Sequence, residues 1–240
     1  MARNEIAIAD EARKQWESGA THIDVNAGAP GGNEKEDLAW LVAVVQKSVD
    51  APLCIDSPNP EAILSVLDRL VHRPLINSIS LETKRFDALA ELVKTHPCDI
   101  VGLCMSDGGM PADDQDIVKR AGLLVEALGR LGVGLERIYI DPLVQPIGAN
   151  HLNGRMALIA MQSIRRLYPE VHLICGLSNI SFGMPRRKEI NRVFLTMAMA
   201  AGLDSAILDP LDSSLMADLR GARMLLGLDP YCLSYLKACG

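Results

Sequence analysis

Aromatic side chains are scarce in this chain, with two Trp, four Tyr and three Phe making up 4% of its 240 residues. Proteins that read nucleic acid stack bases on aromatics and neutralise phosphates with clustered Lys and Arg. Here 24 basic residues face 30 acidic ones, for a net charge of −6, so nucleic acid is not an expected partner. Long apolar runs are missing as well: none reaches the ~20 residues of a membrane helix. The stretch Met1–Ala20 carries charges throughout, unlike a secretion signal. Six cysteines (Cys54, Cys98, Cys104, Cys175, Cys232 and Cys239) include no CxxC pair and no metal-ligand spacing. Cys54, Cys104 and Cys175 lie inside apolar runs, the ordinary place for buried thiols of a reducing compartment. These absences together predict a soluble, cytoplasmic protein that does not engage a membrane.

What the chain does have is a core. Hydrophobic residues are 49% of the total, enough at this length for one α/β barrel or a compact doubly wound sheet, and a single domain over 1–240 is the default expectation. Short β-branched runs alternate with longer amphipathic stretches, the pattern of repeated βα units and a parallel sheet. Seven strands are predicted, at Thr21–Val25, Leu53–Ile55, Leu75–Asn77, Ile100–Cys104, Arg137–Ile140, His172–Cys175 and Ser205–Leu208. Helices are predicted over 34–48, 60–71, 84–95, 113–131, 150–167, 188–201 and 213–226, with 227–240 as a short tail. The chain opens inside a further helix, with Ile6, Ala9 and Trp16 on one face ahead of Gly19. A helix with no strand before it is an incomplete βα unit. The expectation is therefore a TIM-type (β/α)8 barrel lacking its first strand in this chain, with an open edge beside the first strand present.

In a parallel barrel the working residues gather at the C-terminal ends of the strands. Those positions are rich in Asp, Asn and Ser: Asp24 and Asn26 with Gly28, Gly31 and Gly32; Asp56, Ser57 and Asn59; Asn77 and Ser78; Ser106 and Asp107; Asp141 and Gln145; Ser178 and Asn179; Asp209 and Asp212. Helix capping is the expected role of Ser57, Asn59, Ser80 and Asp212. Asp56, Asn77, Asp141 and Asn179 are expected to face the mouth instead. Convergent carboxylates and amides there suit a neutral heterocycle with N–H and C=O edges.

Other chemistries lack their residues. His22, His72 and His172 fall at strand starts while His96 and His151 are isolated, so a protein-bound metal is not expected. No Lys lies within a predicted strand, which removes Schiff-base aldolases. The last two strand-end loops read Ser-Asn-Ile-Ser-Phe-Gly and Pro-Leu-Asp-Ser-Ser rather than Gly-rich, which disfavours a phosphorylated substrate.

Six segments carry a resemblance. Asp24-Val-Asn-Ala-Gly28, Cys54-Ile-Asp-Ser57, Ile76-Asn-Ser78, Tyr139-Ile-Asp-Pro-Leu143, Gly176-Leu-Ser-Asn-Ile-Ser181 and the stretch Asn191 to Asp204, in this order, resemble the pterin-binding methyltransferases. That family includes methyltetrahydrofolate:corrinoid/iron-sulfur protein methyltransferase and the folate module of cobalamin-dependent methionine synthase. The resemblance implies that Asp56, Asn77 and Asp141 hold the pyrimidine edge of a pterin, that Asn179 lies near N5 as the catalytic group, and that Arg187 approaches the benzoyl-glutamate tail. Asn26 and Ser178 complete the expected substrate-binding set. It further implies methyltetrahydrofolate as methyl donor and a corrinoid (cobalamin) carried by a partner protein, since no Asp-x-His-x-x-Gly cobalamin motif occurs in the chain. Relatives of this type resemble homodimers, for which the Leu- and Met-rich faces Leu195–Met199 and Leu215–Leu226 are candidate contacts. A dihydropteroate synthase-like enzyme and a non-catalytic pterin-binding protein are the alternatives.

Overall fold

Strands of four or five mostly apolar residues need cover on both faces, and parallel pairing between helices supplies it. The computed structural model describes residues 3–28 and 32–239. Its seven strands follow chain order in the sheet: β1 (Ile23–Asn26), β2 (Leu53–Asp56), β3 (Leu75–Leu81), β4 (Asp99–Ser106), β5 (Ile138–Asp141), β6 (His172–Gly176) and β7 (Ser205–Ile207). Helix α1 (Glu5–Glu17) precedes β1. Between the strands lie α2 (Glu34–Ser48), α3 (Pro60–Leu67), α4 (Thr83–Thr95), α5 (Asp114–Arg130), α6 (Asn153–Leu167) and α7 (Arg187–Ala200), and α8 (Ser213–Leu225) and α9 (Leu233–Cys239) follow β7. The expected alternation of strand and helix is thus present in every described segment.

The chain divides into two compact units, Met1–Met110 with Arg120–Ile140, and Pro111–Lys119 with Asp141–Gly240. In the first, β1 pairs with β2, β2 with β3 and β3 with β4, all in parallel. Side chains alternate along β1, where Ile23 and Val25 are buried while Asp24 and Asn26 on the other face are exposed. Helix faces close the core with Leu38, Val42 and Val45 of α2, Ile63 and Val66 of α3, and Leu89 and Leu92 of α4. In the second unit β6 pairs with β7 in parallel, and Met161 and Ile164 of α6 and Phe194, Leu195 and Ala198 of α7 are buried.

Several boundaries differ from expectation: α3 ends at Leu67 rather than 71 and β4 runs from Asp99 to Ser106 rather than over 100–104, and three further differences have identifiable reasons. Strand β3 continues four residues past Asn77, because Ser78 and Ser80 are buried at 6% and 0% exposure; their polarity in the sequence looks like a loop. The Asn77–Ser78 peptide is cis, and the register with β4 shifts there. Helix α6 begins at Asn153 rather than 150, since the Asn150 side chain accepts from Leu152 N–H and holds a turn first. The short tail contains a helix: Asp229 accepts from the N–H groups of Ser234 and Tyr235 ahead of α9.

Capping explains several other helix starts. Asn33, Asn59 and Asp212 accept from Glu36, Glu61 and Leu215 N–H to begin α2, α3 and α8. Helix α4 has no cap of its own; Asp107, in the loop after β4, takes Thr83 N–H at 3.2 Å and its hydroxyl at 2.6 Å instead. Ser57 and Ser80 were expected as caps and are not. Buried Ser57 donates to Glu34 at 2.6 Å and accepts from Asn59 N–H, while Ser80 donates to Glu82.

Candidate active site

The first unit aligns three of the expected side chains by register alone. Asn26 on β1 stands opposite Asp56 on β2, and Asp56 stands opposite Asn77 on β3. Partners in a parallel row project from the same face, so the last residues of β1 and β2 and the third residue of β3 present an amide, a carboxylate and an amide side by side. Asn26 Nδ2 donates to Asp56 Oδ2 at 2.8 Å, and Asn26 Oδ1 accepts Gly28 N–H at 2.8 Å. Asn26 therefore orients Asp56. The Asn77 side-chain amide makes no hydrogen bond among the described residues. Two positions upstream on the same face, Asp24 is hydrogen-bonded by the buried Cys54 thiol; desolvation raises its pKa to about 6, opposed by that bond and reinforced by Asp56. Gly31, in the loop beyond Gly28, lies outside the described residues.

A helix side chain fixes this row from behind. Arg85 of α4 donates to Ser78 O at 2.8 Å, Pro58 O at 2.9 Å and Ser57 O at 3.1 Å, tying together the chain segments that leave Asp56 and Asn77. Burial lowers its pKa, and Glu82 and Asp56 work against that shift. Nothing in the sequence pattern marks Arg85, because one cation early in an amphipathic helix looks like a solvated surface residue.

The second unit holds the other expected residues. Asp141 ends β5, where Oδ1 accepts Leu143 N–H at 2.7 Å. Burial raises its pKa to about 7, and that single N–H only partly offsets the shift. Leu143 reaches this geometry at φ 61, a left-handed conformation that costs a non-glycine residue energy. Ser178 and Asn179 lie on the one-turn 3-10 helix Leu177–Asn179 directly after β6, both exposed. A Cβ on Gly176 would stand 3.1 Å from Asn179 Nδ2, so the missing side chain leaves room for this amide. Among the described residues the Asn179 amide has no hydrogen-bond partner, which leaves it available to a ligand. Arg187 begins α7 and points back at the turn, donating to Ser178 O at 2.8 Å and Ser181 Oγ at 3.1 Å, with its guanidinium 5.9 Å from the Phe182 ring centroid.

A mainly apolar cavity of about 600 Å3 is lined by α6 and α7 residues such as Leu158, Ile159, Ile190 and Val193.

Comparison with known proteins decides the family. Residues 1–209 match the model of the pterin binding enzymes. The chain belongs to this family. It is 37% identical over 238 residues to the methylcorrinoid:tetrahydrofolate methyltransferase of Eubacterium limosum, covering 98% of this chain and 88% of that protein. It is also 30% identical to the methionine synthase of Mycobacterium tuberculosis over 82% of this chain, a match that spans 18% of that longer protein. Among solved structures, dihydropteroate synthase from Xanthomonas albilineans superposes with a TM-score of 0.72 at 16% identity, covering 95% of this chain and 87% of that one. The Yersinia pestis dihydropteroate synthase gives the same TM-score at 20% identity, covering 92% and 90%. These two likenesses establish the fold, the α/β barrel of the TIM type.

Proposed function

We propose that this pterin-binding enzyme moves the N5 methyl of methyltetrahydrofolate, or of a related tetrahydropterin, to or from the cobalt of a corrinoid protein. The observation that carries the reading is the near full-length match to a relative whose name states such a transfer. The unengaged amides of Asn77 and Asn179 and the high-pKa carboxylate of Asp141 support it as groups with bonds still to make.

Asp56, Asn77 and Asp141 bind the pyrimidine edge: the carboxylates accept ring N–H groups, and the amide donates and accepts at once. Asn26 keeps Asp56 in place. Arg187 meets the carboxylates of the tail, and Ser178 adds a hydroxyl. The partner's corrinoid supplies the cobalt that takes or gives the methyl.

Proton handling falls to N5. When the methyl leaves, N5 keeps the bonding pair and takes a proton from solvent in its place; when the methyl arrives, N5 returns that proton to solvent. Asn179 donates to N5 as the C–N bond breaks, a bond that strengthens toward the transition state and carries no charge to repel a protonated ring. The reaction has no protein nucleophile, so positioning supplies most of the rate.

The test is methyl transfer between methyltetrahydrofolate and cobalamin, followed by the cobalt absorbance. Asn179→Ala is expected to slow transfer by about 10²-fold or more with a smaller change in pterin affinity. An unaltered rate would remove Asn179 from the mechanism. Tight binding of methyltetrahydrofolate without any transfer would leave a non-catalytic pterin-binding protein.

We further propose a cytoplasmic homodimer. The thiols of Cys54, Cys98, Cys104 and Cys175 are buried and unbridged, in keeping with a reducing compartment, and no described helix is long and apolar enough to cross a membrane. Leu195, expected on the contact face, is instead core at 1% exposure. Val193 and Met197, at 60% and 50%, are the apolar side chains α7 presents outward. Val193→Glu with Met197→Glu should convert a dimer to a monomer by light scattering; unchanged mass would clear this face.

A further inference from the structure

The turn that carries Asn179 is held at more points than a surface turn needs. Ser178 O accepts from Arg187 at 2.8 Å and from Ser181 Oγ at 3.3 Å, and Ser181 is itself fully buried. Ser178 Oγ accepts a third bond, from Asn191 Nδ2 at 3.2 Å. Arg187 and Asn191 are four residues apart on α7 and so share one face of the helix. They grip the backbone and the side chain of the same residue.

The other end of the Asn191 amide is the informative part. Its Oδ1 is buried and finds no donor among the described residues. Buried acceptors without partners are rare in native proteins, and a residue kept for packing alone would not leave one. The arrangement makes sense if the donated bond is what matters. A hydroxyl has one proton and two lone pairs. With one lone pair filled from α7, the Ser178 proton is directed away from α7.

We infer that Asn191 is a positioning residue for methyl transfer: it holds Ser178 as an acceptor, which points the Ser178 hydroxyl proton outward and fixes the turn that aims the Asn179 amide. The inference rests on the methyl-transfer reading of this same site and adds to it a residue that touches no substrate.

Asn191→Asp tests the claim, because it keeps size and shape while replacing the donor by an acceptor. Ser178 must then donate toward α7. The transfer rate is expected to fall about tenfold or more, while the Kd for methyltetrahydrofolate changes by less than about threefold. Ser178→Ala, an exposed change that leaves folding intact, should give a loss of similar size. The double variant should be no slower than the slower single one, since both act through one hydroxyl. Losses that multiply, an Asn191→Asp enzyme as fast as the wild type, or an indifferent Ser178→Ala would each overturn the role of Asn191. If Asn191→Asp does not fold by thermal melt, Asn191→Ala, which removes the same donor without adding a charge, takes its place with the same expected split between rate and Kd. A wild-type protein that transfers no methyl at all would sink the parent reading together with this one, whereas wild-type activity with an indifferent Asn191→Asp sinks only this one.

Discussion

Asp141 keeps its proton to about pH 7, because burial disfavours the charged form and the Leu143 N–H alone does not compensate. As an acceptor for two ring N–H groups it must be ionised. Affinity for methyltetrahydrofolate should therefore fall as pH drops from about 8 to about 6, by up to tenfold per pH unit below the pKa. Asp141→Asn should weaken binding by about 1–3 kcal/mol at pH 8 and flatten this pH dependence; titration calorimetry across the range reads both. If Asp141→Asn keeps the wild-type slope, another group is responsible. Gly176 sets a second limit at this scale. Gly176→Ala places a methyl 3.1 Å from Asn179 Nδ2, tighter than ordinary contact, so the amide must move. Transfer should slow by about tenfold with pterin affinity kept, since a misplaced group costs rate before binding. Equal losses in both would mean that the turn itself had collapsed.

Among the elements, α4 has the most consequential job for the site. Its Arg85 donates to three carbonyls on the segments following Asp56 and Asn77. Arg85→Ala should cost about 1–3 kcal/mol of stability by leaving buried carbonyls unpaired, and should weaken pterin binding as the row loosens. Arg85→Lys should recover little, since an ammonium on a flexible stem cannot match a planar fork across three acceptors. Full recovery by Lys would show that charge, not geometry, is what α4 contributes.

This division between row and clamp also explains what the sequence discloses. Asp56, Asn77 and Asp141 stand out because each interrupts an apolar run, and register then fixes the face that Asp56 and Asn77 share. Helix α2 is bounded by Asn33, a cap whose signal is purely local, and its expected range matches the observed one. Arg85, Asn191 and Ser181 act through partners distant in sequence or around a turn, and no period or spacing marks such pairs. Asp107 is the clearest case. It looks like one more strand-end carboxylate, yet its partner is Thr83, 24 residues earlier, and its pKa is lowered by the Thr83 hydroxyl and N–H bonds rather than raised by burial.

For the molecule as a whole, these carboxylates fall into two sets that pull stability in opposite directions as pH changes. Asp107, Asp212 and Asp229 accept hydrogen bonds that lower their pKa values. Their contribution is present above the unfolded carboxylate pKa and fades as pH drops below it. Asp24 and Asp141 are raised to about 6 and about 7. Between roughly pH 4 and those values the folded state binds protons that the unfolded state has lost, so stability declines as pH rises through that window. The free enzyme should thus be most resistant to urea near pH 4 and measurably weaker at about pH 8. Asp141→Asn should remove most of the decline, because Asp141 is raised further, while Asp24 on the exposed face of β1 is only partly desolvated and water screens part of its share. Ligand reverses the trend at one site. Pterin N–H groups donated to Asp141 favour its ionised form, so binding near pH 6 must expel a proton. Calorimetry in two buffers of different ionisation enthalpy should then give different apparent binding heats near pH 6, converging by about pH 8 where Asp141 is already charged. Equal heats in both buffers near pH 6 would mean that Asp141 does not accept the pterin's protons.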